Sequence, residues 1–349
     1  MFASWSLYQL IPLFLIAATA VWFAGIHLSQ TTDVIDSRFG LGDAFGGLIF
    51  LAITTNLPEI AILVSAALTH SIGIAIGNIL GGIAIQTVVL VILDGFGLRQ
   101  KAALTYQSAS LQLVLEAVLV IAVLVIAMMG SQLPDTLLIA HFAPGDLLIA
   151  ITWLVGLWLI NKARANLPWH EDGRAPDTAP RAKTGSQVKI GHWRTTHILL
   201  VFTLSALVTL AAGVVLEESG RYIAAFIGWS NILFGSTILA AVTALPEIAT
   251  GLAAMKMGDY TLAVSDIFGG NAFLPVLFLP ATLLTGQSVL PLAKHTDIYL
   301  ASLGALLTAV YIYGLIFRPK RQFCCLGIDS IVVLAIYILG IAGLFAISP

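Results

Sequence analysis

Charge is scarce in this chain. Only 10% of its 349 residues are Asp, Glu, Lys or Arg, against about 25% in a soluble domain. Hydrophobic residues make up 59%. This balance excludes a water-soluble globule, a nucleic-acid binder and a disordered chain, and it points to the lipid bilayer. Cysteine is scarcer still. Cys324 and Cys325 are adjacent and have no others to pair with, which excludes a disulfide framework and a CxxC metal site. They follow Arg318, Lys320 and Arg321 and read as ordinary interfacial residues, with palmitoylation the alternative. No Lys or Arg precedes Arg38. The apolar run from Tyr8 to Leu28 therefore lacks the basic region of a signal peptide and reads as a retained first helix. No HExxH motif occurs, so a zinc protease has no support.

What is present is a series of apolar segments, each near the roughly 20 residues needed for one crossing. They lie at 8–28, 42–68, 71–93, 107–129, 146–162, 197–216, 231–254, 260–284, 297–317 and 328–347. Segments 30–43, 130–145 and 217–230 read as irregular, with room for short interfacial helices. The one polar stretch, 163–196, is too short and too polar to fold alone and reads as a linker. The expected fold class is all-α integral membrane. Residues 1–162 form one five-helix half and residues 197–349 the other. With the N-terminus outside, 14 of the 16 basic residues fall at inner ends, and only Arg221 and Lys294 fall outside. The positive-inside rule then puts both termini outside and the linker in the cytoplasm. With five spans per half, equivalent helices run in opposite directions.

The halves also resemble each other in one ungapped register. Gly40 to Ala61 reads GLGDAFGGLIFLAITTNLPEIA, and Gly228 to Ala249 reads GWSNILFGSTILAAVTALPEIA. The run Leu57-Pro58-Glu59-Ile60-Ala61 recurs as Leu245-Pro246-Glu247-Ile248-Ala249. The register continues into the next helix, where Gly77-Asn78-Ile79-Leu80-Gly81-Gly82 faces Ser265-Asp266-Ile267-Phe268-Gly269-Gly270. A repeat in opposite orientations is an inverted-topology repeat, the plan of many secondary transporters.

The repeated segment places costly chemistry at mid-helix. Pro58 and Pro246 each remove a helix hydrogen bond, and the freed carbonyls near Thr54, Thr55, Val242 and Thr243 must be satisfied within the protein. Beside each proline stands a glutamate, Glu59 or Glu247. A central acidic residue costs about 2.5–3.5 kcal/mol on insertion scales. One such motif reads equally as a kinked helix with a protonated glutamate. Two in register favour a cation site, since carbonyls and carboxylates are the ligands of hard cations such as Ca2+. The glycines Gly77, Gly81, Gly82, Gly269 and Gly270 let helices pack closely.

The paired T-x-L-P-E segments, each followed by a G-N-x-x-G-type helix, resemble the two alpha-repeats of the cation/calcium exchanger superfamily, which includes the Na+/Ca2+ exchangers. The resemblance covers the second and third helices of each half. It implies that Glu59 and Glu247 coordinate the central cation and that Thr55 and Thr243 add oxygens. It also draws in Asn56, Asn78, Gln86, Asp266 and Asn271 as candidate ligands. A bacterial-type member would sit in the inner (plasma) membrane. The implied function is secondary-active exchange of a divalent cation, by family habit Ca2+, against Na+ or H+. No cofactor is implied beyond the transported cations, and no protein partner or nucleic acid.

Several positions depart from the family pattern. Asn56 and Ala244 stand where serine is usual, as do Gly82 and Gly270. Ile83 replaces a family asparagine that Asn271 keeps. Gln86 and Leu274 hold the far Asn/Asp positions, and Asp266 replaces the asparagine of G-N. Asp266 reads either as part of an access path or proton site, or as a solvated carboxylate near a helix N-terminus. The lost hydroxyls reduce the ligands available to Na+, whereas a proton needs no coordination cage, so Na+ and H+ both stand as drivers. Glu116 is read as facing the bundle, and Asp94 and Asp146 as solvated helix ends. The competing readings are other cation exchange without Ca2+, such as Na+/H+, a channel, a fold-retaining non-exchanger, and a membrane aspartyl protease. Gly40-Leu41-Gly42-Asp43 spells the GxGD of the last, but the first helix lacks the second aspartate that such a protease needs; Asp43 reads instead as a helix cap.

Overall fold

Long apolar runs become long helices. The structure, a computed structural model, describes residues 2, 5–39, 45–97, 102–138, 141–165, 192–323 and 325–347. Helix α1 spans Leu7–Phe39, α2 Phe45–Thr55, α3 Leu57–Leu68 and α4 Ile72–Gly97. The short α5, Leu104–Ser108, precedes α6, Leu111–Gly130, and α7, Pro144–Ala165. Helix α8 spans Thr195–Ile227. The next passage is discontinuous: α9 at Asn231–Phe234, a π-helical turn at Gly235–Leu239, α10 at Ala240–Thr243 and α11 at Leu245–Lys256. Then α12, Tyr260–Phe273, passes through a 3-10 turn at Leu274–Leu277 into α13, Phe278–Thr285. Helices α14, His295–Phe317, and α15, Ile328–Ile347, follow. Among the described residues, nine helical stretches are long and apolar enough to cross a membrane. Helices α2 and α3 are each too short to be counted as one.

The starts and stops follow local chemistry. Ser110, Ser230 and Asp259 accept from the backbone N–H three residues on, at 3.2, 3.3 and 2.9 Å, and so open α6, α9 and α12. Gly228 ends α8 in the left-handed conformation, φ 73°.

Two expectations need correction. Residues 30–39 and 217–227 are not irregular but continue α1 and α8, which reach 33 residues each. No proline or glycine falls in 30–39, so nothing stops α1 there. At 1.5 Å per residue these helices run about 50 Å, well beyond a hydrocarbon core of about 30 Å. They pack along each other, and that contact keeps their polar ends helical. Second, Asp94 and Asp146 are buried, at 1% and 0% exposure. Asp94 accepts from the backbone N–H of Leu104 at 2.7 Å and of Gly327 at 2.6 Å, and Asp146 accepts from Thr282. Each carboxylate ties its helix end to another element. The fold is all-helical as expected, with one short hairpin in the connection before α15, where Gln322–Phe323 pairs antiparallel with Leu326–Gly327. This hairpin brings Gly327 to Asp94. The linker's central part, 166–191, and the GxGD segment, Gly40 to Asp43, lie outside the described residues, as do Cys324 and Lys101.

The centre of the bundle is α4, with 83% of its most apolar window buried, against 22% for α15 and 28% for α8. The exposed Leu200, Leu204 and Leu207 of α8 and Ile338 and Leu339 of α15 form the outer, lipid-compatible surface. Glycine lets α4 meet the discontinuous passage backbone to backbone. A Cβ on Gly81 would collide with the Ser236 backbone, and one on Gly77 would stand 2.5 Å from the Ile232 carbonyl oxygen. Gly269 has nothing within 4 Å of that position. Gly81→Ala is therefore expected to destabilise the purified protein by about 1–3 kcal/mol, read as a lower thermal midpoint in detergent. Gly269→Ala should be neutral or mildly stabilising. Equal effects of the two would refute the close contact.

Candidate cation site

Two proline-broken helices carry the site. Each break falls two residues before its proline, at Asn56 between α2 and α3 and at Ala244 between α10 and α11. Each glutamate therefore lies in the first turn of the helix that follows, Glu59 in α3 and Glu247 in α11. The free N–H groups there favour negative charge. Both side chains are buried, at 1% and 8% exposure. Neither oxygen of Glu59 has a hydrogen-bond partner among the described residues, and Glu247 Oε2 also has none. The two carboxylates lie within electrostatic range of each other.

Neutral oxygens lie on the same and adjoining helices. The Thr243 hydroxyl approaches Glu59. It donates to the Ala240 carbonyl at 3.2 Å and lies 3.5 Å from Asn78 Oδ1. Asn56 donates to the Ala52 carbonyl at 2.8 Å and to Thr55 Oγ1 at 3.3 Å. Its own Oδ1 is buried with no partner among the described residues. Gly270 brings two amides together. A Cβ there would stand 3.6 Å from Gln86 Oε1 and 3.7 Å from both amide atoms of Asn56. The Gly82 position faces the Leu274 methyl instead, at 3.6 Å. Asn271 donates to Thr87 Oγ1 at 3.2 Å and to the Ile83 carbonyl at 3.4 Å. It bridges α12 to α4, and its Oδ1 is unpartnered among the described residues.

Asp266 stands apart from this cluster. It accepts from Thr250 at 3.3 Å and lies within electrostatic range of Glu247 and of Asp33. With Asp33, Ser29 and Thr250 it lines a cleft of about 570 Å³, measured with its open mouth. Sequence reasoning missed Asp33 because it assigned residues 30–43 to irregular chain. Continuing the apolar periodicity of α1 past Leu28 would have found it. Glu116 is buried in α6 and accepts from Gln112 at 2.7 Å.

This arrangement suits a hard cation. Its candidate donors are carboxylate, amide and hydroxyl oxygens, and among the described residues no three His, Cys, Asp or Glu side chains gather as a metal cluster. Two carboxylates with amide and hydroxyl oxygens match the donors of Ca2+, Na+ or a proton rather than those of zinc or iron.

Fold and site define a helical integral membrane protein with a buried two-carboxylate centre. The family model for the sodium/calcium exchanger protein matches residues 9–160 and 197–346. The chain belongs to that family, which places it among membrane cation antiporters and not among enzymes. It is 26% identical over 339 residues to the inner membrane protein YrbG of Escherichia coli, covering 97% of both chains. It is 27% identical over 236 residues to the putative antiporter CaxA of Alkalimonas amylolytica, covering 65% of each. Among solved structures it resembles the H+/Ca2+ exchanger CAX, with TM-score 0.66 and 13% identity, covering 97% of this chain and 88% of that one. It also resembles the sodium-calcium exchanger NCX_Mj, with TM-score 0.59 and 18% identity, covering 97% of this chain and all of the other.

Buried carboxylates without partners destabilise the protein when no cation is bound. Glu59→Gln and Glu247→Gln are each expected to raise the thermal midpoint of chelator-treated protein at pH 8, by roughly 1–3 kcal/mol at the midpoint. A lowered midpoint in both would show that the carboxylates are already satisfied.

Proposed function

We propose that this protein is a secondary-active antiporter that exchanges a divalent cation, Ca2+ in the first instance, against Na+ or H+ through a centre formed by Glu59 and Glu247. The supporting observation is that these two carboxylates are buried, one at each of two equivalent helix breaks, with three of their four oxygens unpartnered among the described residues. In this reading α2 and α3 together make one broken passage, which gives ten passages in two inverted halves, 1–162 and 197–349. Both termini lie outside, and the 163–196 linker is cytoplasmic. Packing at the two breaks supports the pairing. Gly213 of α8 lies against the Pro58 carbonyl and Ala61, and Gly25 of α1 lies against the Pro246 ring. The register that pairs Pro58 with Pro246 also pairs Gly25 with Gly213.

Thr55, Thr243, Asn56, Asn78, Gln86 and Asn271 supply or position neutral oxygens in this proposal. The obligatory exchange follows from electrostatics. Two uncompensated buried carboxylates resist crossing the membrane region empty, and either ion lifts that barrier. Glu59→Gln and Glu247→Gln are expected to abolish 45-calcium uptake into proteoliposomes while the protein stays folded. Full uptake in both mutants would overturn the assignment.

The coupling ion depends on the neutral oxygens. Na+ needs several of them, and here Gly82 faces a leucine methyl while Gly270 faces two amides. The amides favour Na+, and the lost hydroxyls favour H+. Uptake driven separately by an outward Na+ gradient and an outward H+ gradient, at fixed potential, decides between them. Drive by Na+ alone would mean that Asn56 and Gln86 replace the missing hydroxyls. Drive by H+ alone would mean that they do not. Drive by neither would overturn the exchange reading.

A further inference from the structure

We propose that Glu217, Ser65 and Ser71 form a latch on the outer side that biases this antiporter toward the inward-open arrangement, and that the equivalent inner positions carry no latch. The proposal rests on the inverted halves and the orientation given above.

Glu217 lies in α8, fully buried, and takes no part in the cation site. Its two carboxylate oxygens accept from Ser65 Oγ at 2.8 Å and from Ser71 Oγ at 2.6 Å. Ser65 belongs to α3, and Ser71 immediately precedes α4. Hydrogen bonds to a charged acceptor are among the stronger ones in proteins. These two therefore pin the outer part of α8 against both helices that carry the first half of the site. They also connect to that site along one helix face. Gly213, which lies against the Pro58 carbonyl, is one turn before Glu217, and Pro58 is next to Glu59.

The register of the repeat allows the two sides to be compared position by position. Glu217 corresponds to Ser29, Ser65 to Ala253 and Ile62 to Thr250. On the inner side Ser29, Thr250 and Ala253 all line the open cleft beside Asp33 and Asp266. On the outer side Ile62 and Glu217 are 0% exposed and Ser65 is 5% exposed. The same wedge between helices is thus open at one end and shut at the other. Its chemistry differs in the way that explains this. The shut end has a carboxylate and two hydroxyls, whereas the open end has Ser29 opposite Ala253, which can make no such bond. The counterpart of Ser71 is Asp259, whose side chain is occupied in capping α12. Closing the inner wedge therefore forms no such bond between these equivalent positions, and opening the outer one breaks both bonds and leaves a carboxylate to be rehydrated.

The test uses full-length protein in proteoliposomes, on a Cys324→Ser/Cys325→Ser background. Ile62→Cys reports the outer wedge and Ala253→Cys the inner one, each labelled by a membrane-impermeant maleimide added to its own side. With the latch intact, Ala253→Cys should label readily and Ile62→Cys slowly. Ser65→Ala/Ser71→Ala should speed outer labelling of Ile62→Cys about tenfold or more, because it removes both donors. Glu217→Gln keeps the shape and exchanges charged bonds for neutral ones, so its effect should have the same sign and be smaller. The outer Ca2+ concentration giving half-maximal exchange should fall with the same order among variants, since more of the protein is competent to bind from outside. A loosened fold would instead lower the maximal rate without improving that affinity. Unchanged Ile62→Cys labelling and unchanged outer affinity in both latch variants would overturn the latch. Failure of Ala253→Cys to label from the inner side in any variant would overturn the inverted arrangement itself, independently of the latch.

Discussion

A carboxylate buried in a membrane protein needs a partner for its charge, and here Glu59 has none on either oxygen, and Glu247 none on Oε2, among the described residues. Both side chains are buried, at 1% and 8% exposure, and three of their four oxygens have no hydrogen-bond partner among the described residues. A bound cation or a proton would supply the missing compensation. Other features of the bundle serve this constraint. Two helices break just before the glutamates, so that the free N–H groups of a helix start offset part of the negative charge. The Thr243 hydroxyl approaches Glu59, and Asn78 Oδ1 lies beside it.

Close packing is what brings these groups together. The candidate site draws on two pairs of consecutive passages, one pair from each half of the chain, and their backbones must approach to within contact distance. Glycine does this at Gly77 and Gly81 on α4, and at Gly25 and Gly213 on α1 and α8. In lipid no strong hydrophobic force presses helices together, so small residues and interhelical hydrogen bonds do that work. Asn271 to Thr87, Asp146 to Thr282 and Glu217 to Ser65 and Ser71 are bonds of this kind. The polar residues of this chain therefore divide into those that hold helices to each other and those, such as Glu59, whose oxygens have no hydrogen-bond partner among the described residues.

The asymmetry of the structure is as informative as its repeat. An exact repeat would give both access routes the same energy and leave no resting preference. In this chain the repeat is strong at the helix breaks, where the chemistry must be shared, and weak along α1 and α8, where Ser29 stands opposite Glu217. In the functions proposed above, the access side is set at those divergent positions and the cargo is bound at the shared ones.

How much of this was legible in the sequence depends on distance along the chain. Scarce charge and long apolar runs determined that the protein lies in a membrane and is built of helices, because a backbone in lipid has almost no other way to satisfy itself. The duplicated Leu-Pro-Glu run determined where the helices break and that a glutamate is buried at each break, since proline has the same consequence in any helix. Sequence alone went wrong where polar residues have remote partners. Asp94 and Asp146 read as solvated ends because Gly327 and Thr282, which reach them, belong to the other half of the chain. Residues 30–39 and 217–227 read as loops because their helical state depends on α1 and α8 lying side by side. The cleft around Asp33, the meeting of Asn56 with Gln86 at Gly270, and the closure of the outer wedge by Glu217 are properties of packing. Only the tertiary structure decided them, because each is set by which helix faces which, and the local pattern of one helix carries no record of its neighbour.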